Sequence, residues 1–228
     1  MSKETENIYK YLDGLNDFKL PSFNELPSIP LFMEQVVIYI NQCLEKLSAE
    51  SDDKYDANVI TPFMVNNYVK AKIISAPKDK KYSKEHLAYL LAIALLKPVV
   101  PMRDIATLID LDKEFFENKK NLYDLFKKIQ EDTLKKEAHK TKFRVKTLSK
   151  ISEEKMKISK QADLELVNLS YIALKLYVES ETKKQIADAI MKDITTSLLP
   201  KKVLKESRKE AVLQNKKEHK EAKKVAQR

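Results

Sequence analysis

A single glycine, Gly14, in 228 residues narrows the fold more than any other feature of this chain. Phosphate-cradling loops and dinucleotide fingerprints need several glycines at fixed spacing, so nucleotide-binding folds of that kind are excluded. Scarce glycine beside abundant Leu, Lys, Glu and Ala predicts an all-α protein. One cysteine, Cys43, builds neither an internal disulfide nor a cysteine zinc site. It lies on the apolar stripe Met33, Val36, Val37, Ile40, Cys43, Leu44 and Leu47, so it reads as a small core residue.

Punctuation along the chain divides it further. Residues 1–29 are polar with prolines at 21 and 27, which reads as a mostly extended lead-in. Pro30 at a first-turn position opens an amphipathic helix to about Leu47. Ser48 to Asn58 is an acidic surface loop. Thr61 and Pro62 are N-cap and first residue of a helix over 62–73, and Lys78 to Lys81 make a basic turn. Ser83 caps an apolar helix over 84–97, Pro98 stops it, and Pro101 starts another to about Ile109. Residues 113–198 keep helical periodicity, with Leu164 to Tyr177 and Ile186 to Ile194 as two helices divided near Ser180. Residues 199–228 form a basic tail, helical or disordered. The parts are therefore a lead-in (1–29), a head (30–112), a helical dimerisation or effector region (113–198) and the tail.

The first residues are acidic and polar rather than basic and then apolar, so no signal peptide is expected, and the longest apolar stretch, Leu87 to Leu96, holds ten residues, too few to span a bilayer. The expected compartment is the cytoplasm, with no membrane partner. The formal charge of +9 includes 39 Lys and only 4 Arg, a skew that also reflects codon composition. Its distribution is more informative. Residues 1–60 carry 5 basic against 11 acidic side chains, residues 61–109 carry 8 against 3, and residues 200–228 carry 11 against 4. Positive charge gathers on the middle segment and the tail, as a footprint on phosphate requires.

The middle segment also carries a motif. Thr61, Pro62, Val65, Tyr68, Ile73 and Ile74 match, without a gap, a recognition helix that opens Ser-Pro-x-Thr-Leu-Arg-Tyr-Tyr and closes on Leu-Ile. Lys81, Tyr82 and Ser83 resemble an Arg-Tyr-Ser that closes a wing, followed by Leu87 and Leu90. Val100, Pro101, Met102 and Ile105 resemble the Phe-Ser-Leu-x-x-Ile of the next helix. The segment thus resembles the winged helix-turn-helix head of the mercury-resistance-regulator (MerR) family over about residues 60–109. Asn66 and Asn67 stand in place of Arg-Tyr, Lys72 in place of the usual Gly, and the wing is short. Closer still is the resemblance to a family of uncharacterised bacterial proteins with a MerR-like head, whose Asn-Asn-Tyr-Val-Lys core matches Asn66 to Lys70. The resemblance implies an all-α, MerR-like head with a minimal wing, double-stranded DNA as partner, and a homodimer joined by helices C-terminal to the head.

A helical projection sorts the recognition residues. Val65, Tyr68, Val69, Lys72 and Ile73 fall on one side; Phe63, Asn66, Asn67 and Lys70 fall on the other. Asn bonds adenine through two hydrogen bonds, Lys reaches guanine or phosphate, and Phe touches a thymine methyl. The alternative is an ordinary solvated face. Lys78, Lys80, Lys81, Tyr82 and Arg103 complete the candidate DNA-contact set as phosphate contacts, with Tyr82 also able to pack. His86, His139 and His219 lie far apart and without metal-ligand spacing, so no metal, cofactor or catalytic residue is expected and the chain does not read as an enzyme. Tyr171 and Tyr177 read as core residues or as the lining of a pocket for an unidentified small-molecule effector. The expected function is sequence-specific transcriptional regulation, with the helix at 62–73 reading the major groove. The competing expectation is a protein-interaction module that uses the same scaffold without DNA.

Overall fold

The computed structural model of the protein describes residues 3–47, 60–115, 119–155 and 161–225. The acidic stretch Ser48 to Asn58 lies outside them. Among the described residues the protein is mostly helical, with seven α-helices and two short strands, in keeping with the all-α class that its composition predicts. The helices are α1 (Lys3–Asn16), α2 (Met33–Leu44), α3 (Pro62–Lys70), α4 (Lys84–Leu96), α5 (Met102–Phe115), α6 (Lys119–Lys155) and α7 (Gln161–Val225). The strands are β1 (Leu31–Phe32) and β2 (Lys81–Tyr82). Two compact units divide the chain at Tyr177 and Val178.

The lead-in is not extended. Residues 3–16 form α1, whose Thr5, Ile8, Leu12 and Leu15 recur at three- and four-residue spacing. Thr5 and Leu12 are buried, and α1 packs along α6 with an Asp13–Lys142 ion pair. The stripe is short and diluted by charge, which is why prolines dominate the reading of this segment.

Beyond α1 the chain becomes a strap across the start of α6. The Leu20 amide donates to Glu131 at 2.9 Å and the Phe23 amide to Asp124 at 2.8 Å. The Tyr123 hydroxyl donates to the Pro21 carbonyl at 3.0 Å, and the Phe23 ring meets the Tyr123 ring edge-on at 6.3 Å. Phe18, Leu20 and Leu26 are buried. A strand-less strap needs side-chain partners for its backbone groups once it covers a core, and α6 supplies them.

Pro30 does not begin α2. Leu31 and Phe32 pair antiparallel with Tyr82 and Lys81, and the helix starts at Met33. The two-stranded sheet is consequently non-local: one of its strands comes from ahead of α2. Within α2, Val36, Ile40 and Leu44 are fully buried, with Met33, Val37, Cys43 and Leu47 packed beside them. Burial pushes the Cys43 thiol up from its ordinary pKa, which favours its protonated form.

Buried side chains surround α4: Leu87, Ala88, Leu90, Leu91, Ile93 and Ala94. Burying each large aliphatic side chain contributes at most about 1.5–3 kcal/mol, which makes α4 the axis on which α2, α5 and α6 pack. The next helix, α5, runs past Ile109 to Phe115. The last helix does not divide at Ser180. Thr182 donates to the Val178 carbonyl at 2.9 Å, Gln185 bonds Glu181 at 3.1 Å, and Lys184 bonds Asp188 at 2.6 Å. These i to i+4 pairs carry the polar stretch as helix.

Candidate nucleic-acid interface

Local chemistry sets α3 in place. The Thr61 hydroxyl accepts from the Met64 amide at 3.3 Å, and Pro62 fills the first position, where no amide is needed. Ahead of the cap, the Asn41 side chain clamps Ile60 from α2. Its Nδ2 donates to the Ile60 carbonyl and its Oδ1 accepts from the Ile60 amide, both at 3.0 Å. Entry to α3 is thereby fixed by one side chain that satisfies both backbone groups of a residue wholly shielded from solvent.

The helix leaves by a Schellman motif. The Lys72 amide donates to the Val69 carbonyl and the Ile73 amide to the Tyr68 carbonyl, each at 2.9 Å. Lys72 has φ +58°, the left-handed conformation that reverses the chain. The helix therefore ends at Lys70 rather than near Ile73, and Lys72 is exposed, not on the buried side where an uninterrupted helix puts it. Ile73 and Ile74 turn inward to the core.

Val65 and Tyr68 anchor the inner side of α3. Phe63, Asn66, Asn67 and Lys70 all lie on the exposed side, and Phe63 keeps 74% of its surface open to solvent. The projected face thus exists as a face. Lys97, at the end of α4, sends its Nζ to the Met64 sulfur at 3.4 Å, and burial lowers its pKa.

The basic turn follows at Lys78 to Lys81, closed by the Lys81 amide on the Lys78 carbonyl at 2.9 Å. Asp79 and Lys80 have φ of +50° and +62°, the successive left-handed pair of a type I′ turn. Lys78, Lys80 and Lys81 are exposed. Lys81 sits over the Phe32 ring at 5.0 Å, so its stem is steadied by β1 while its charge stays in water. Arg103, 81% exposed in its side chain, pairs through Nε with Asp104 at 3.1 Å.

Tyr82 departs from the expected set. It is 3% exposed, in the core, with its ring edge-on to His86 at 5.4 Å, and burial raises its pKa. A side chain so enclosed does not reach a phosphate. The alternation of a two-residue strand decides this: pairing with Leu31 turns Tyr82 inward and leaves Lys81 outward.

His86 carries a structural job that composition does not reveal. Its Nδ1 accepts from the Ser83 amide at 3.0 Å, and its Nε2 lies 2.9 Å from the Ser75 hydroxyl and 3.2 Å from the Ser75 carbonyl. An Nδ1 that accepts from an amide puts the proton on Nε2, which then donates toward Ser75. The imidazole ties the turn after α3 to the start of α4. A histidine at the third position of a helix capped by Ser83 is the signal that marks it.

Tyr171 and Tyr177 are 58% and 76% exposed and so are not core residues. A cavity of about 390 Å³ instead opens between α4, α5 and α6, lined by apolar residues such as Ile93, Ile105 and Phe126.

Residues 21–129 match a family described as a domain of unknown function, DUF1836. The match takes in 109 of the 228 residues and every candidate contact residue. It begins on the strap and ends on α6, the two partners joined by Tyr123 and Asp124. No curated protein and no solved structure matches the chain. No described helix is long and apolar enough to cross a membrane.

Proposed function

We propose that the protein is a sequence-specific DNA-binding transcriptional regulator with a MerR-like head, reading the major groove with α3. The observation that carries this reading is the outer face of α3. Phe63, Asn66, Asn67 and Lys70 are exposed together on a helix whose other side is locked into the core, capped at both ends and clamped by Asn41. Two adjacent asparagines lower helix propensity, and a phenylalanine left 74% open contributes little to packing. Both residue types are suited to base edges, through adenine N6/N7 and the thymine methyl. The lysines of the I′ turn and Arg103 supply phosphate contacts that set register.

One nine-residue helix contacts a single stretch of groove, so useful specificity takes two heads about one DNA turn apart, roughly 34 Å. The homodimer forms through α7, where Leu166, Val167, Tyr171 and Leu174 are each more than half exposed. The compartment is cytoplasmic, and any small-molecule effector is unidentified.

Retention on duplex DNA across a salt series tests the reading. Affinity falling steeply with salt, at a log–log slope of about −0.9 per phosphate contact, is the expected result. Binding indifferent to salt overturns it in favour of a protein-interaction module, for which the open Phe63 ring is the best anchor. Sequencing of genomic DNA recovered with the protein then identifies the operator.

A further inference from the structure

We propose that Lys72 is a phosphate contact of the same DNA face, held off the end of α3 by a left-handed backbone that a lysine does not favour. This inference rests on the DNA-binding reading and adds to it a residue outside the helix itself.

Among the described residues, three have positive φ: Lys72, Asp79 and Lys80. All three lie on the turns that border α3 and the basic strand, within nine residues of one another. Glycine is free of the steric penalty at such positions, and at the C′ position of a Schellman motif it is the usual residue. The chain has one glycine, and it sits elsewhere: Gly14 is inside α1, its φ is not positive, and a Cβ added there meets nothing within 4 Å. Glycine stands where it is not needed, and lysine stands where glycine is best.

A structural role does not account for Lys72. The motif is closed by backbone bonds from Lys72 and Ile73, which any residue supplies. Its side chain is exposed, and no described residue engages it by a hydrogen bond or ion pair. A positive charge at a helix C-terminus gains from the dipole, but Lys70 already occupies the last turn, and that gain is smaller than the penalty of a left-handed residue with a Cβ. Strain retained without a packing return is characteristic of functional positions. The function available to a mobile ammonium next to the reading helix is a phosphate oxygen.

The test uses the full chain, a random-sequence duplex and the variants Lys72→Gly and Lys72→Gln. Lys72→Gly relieves the backbone and raises Tm by about 2–4 °C. It also weakens duplex binding about eightfold at 0.1 M salt and reduces the salt slope by about 0.9. Lys72→Gln keeps the Cβ and removes the charge, so it weakens binding to the same extent without the gain in Tm. Wild-type binding with a normal salt slope that both variants retain overturns the role of Lys72 and leaves the DNA reading standing. A wild-type chain that holds duplex without any salt dependence overturns both.

Discussion

The head and the first part of α7 are built from the same apolar residues at the same helical spacing, and they are used in opposite ways. In the head, Val36, Ile40, Val65, Leu87, Leu90 and Ile93 have essentially no exposed surface. On α7, Leu166, Val167, Tyr171 and Leu174 keep 55–61% of theirs. Periodicity reports that a helix has an apolar face; it does not report whether the same chain covers it. In the head, caps, a clamp and a two-stranded sheet bring several elements onto one core cluster. On α7, only the 3.6-residue repeat recurs, and among its described side chains Ile172 alone is buried.

The largest break in this contrast comes from the centre. Leu90→Ala leaves a cavity in the buried core and is expected to lower unfolding free energy by about 2–5 kcal/mol. Leu174→Ala on α7 changes it by no more than about 0.5 kcal/mol under conditions that keep the chain monomeric. Denaturant titration of the two variants side by side checks this, and equal losses would erase the distinction. If Leu174 faces a second copy, the same substitution instead lowers the molar mass seen by light scattering at micromolar concentration.

Next in size is the Asn41 clamp. Asn41→Ala orphans both backbone groups of Ile60 in a dry site and is expected to destabilise by about 1–3 kcal/mol. Hydrogen exchange should show α3 opening before α4. On the outer face, Asn66→Ala and Asn67→Ala should each weaken operator binding by about 1–3 kcal/mol. Little change is expected in stability or in binding to random duplex, as read by parallel fluorescence titrations. A uniform loss on all DNA would make them backbone contacts.

Smaller effects sit at single backbone positions. Thr61→Ala removes the N-cap of α3 and should cost about 1 kcal/mol. Gly14→Ala, with open space around the new methyl, should stabilise α1 by about 0.5–1 kcal/mol. Thermal melts of both variants give the two signs directly.

What was legible in the sequence was local. The caps at Thr61 and Ser83, the stop at Pro98, the start at Pro101 and the stripe of α2 each depend on residues a few positions apart, and each is found where expected. The exposed face of α3 followed from projection alone. The features that escaped depend on partners far along the chain. Residues 3–16 look too polar for a helix until α6 lies beside them. Leu31 and Phe32 become a strand only because Lys81 and Tyr82 arrive opposite, and that pairing also buries Tyr82. Lys72 escaped for a different reason. A projection continued past the true end of a helix assigns a side to a residue whose backbone has already turned away.

The strap has a consequence in time as well as in space. Its hydrogen bonds join Leu20 to Glu131 and Phe23 to Asp124, separations of 111 and 101 residues. While the chain is being synthesised, α2, α3 and α4 are complete long before α6 exists. The buried flank that Phe18, Leu20 and Leu26 later cover therefore waits for the C-terminal half of its seal. Closing a loop of that size carries an entropic penalty of about 4 kcal/mol by the chain-length rule, met only when α6 docks. Assembly of this core thus ends with its own beginning, and the nascent polypeptide passes through an interval in which α3 is formed but its foundation is unsealed.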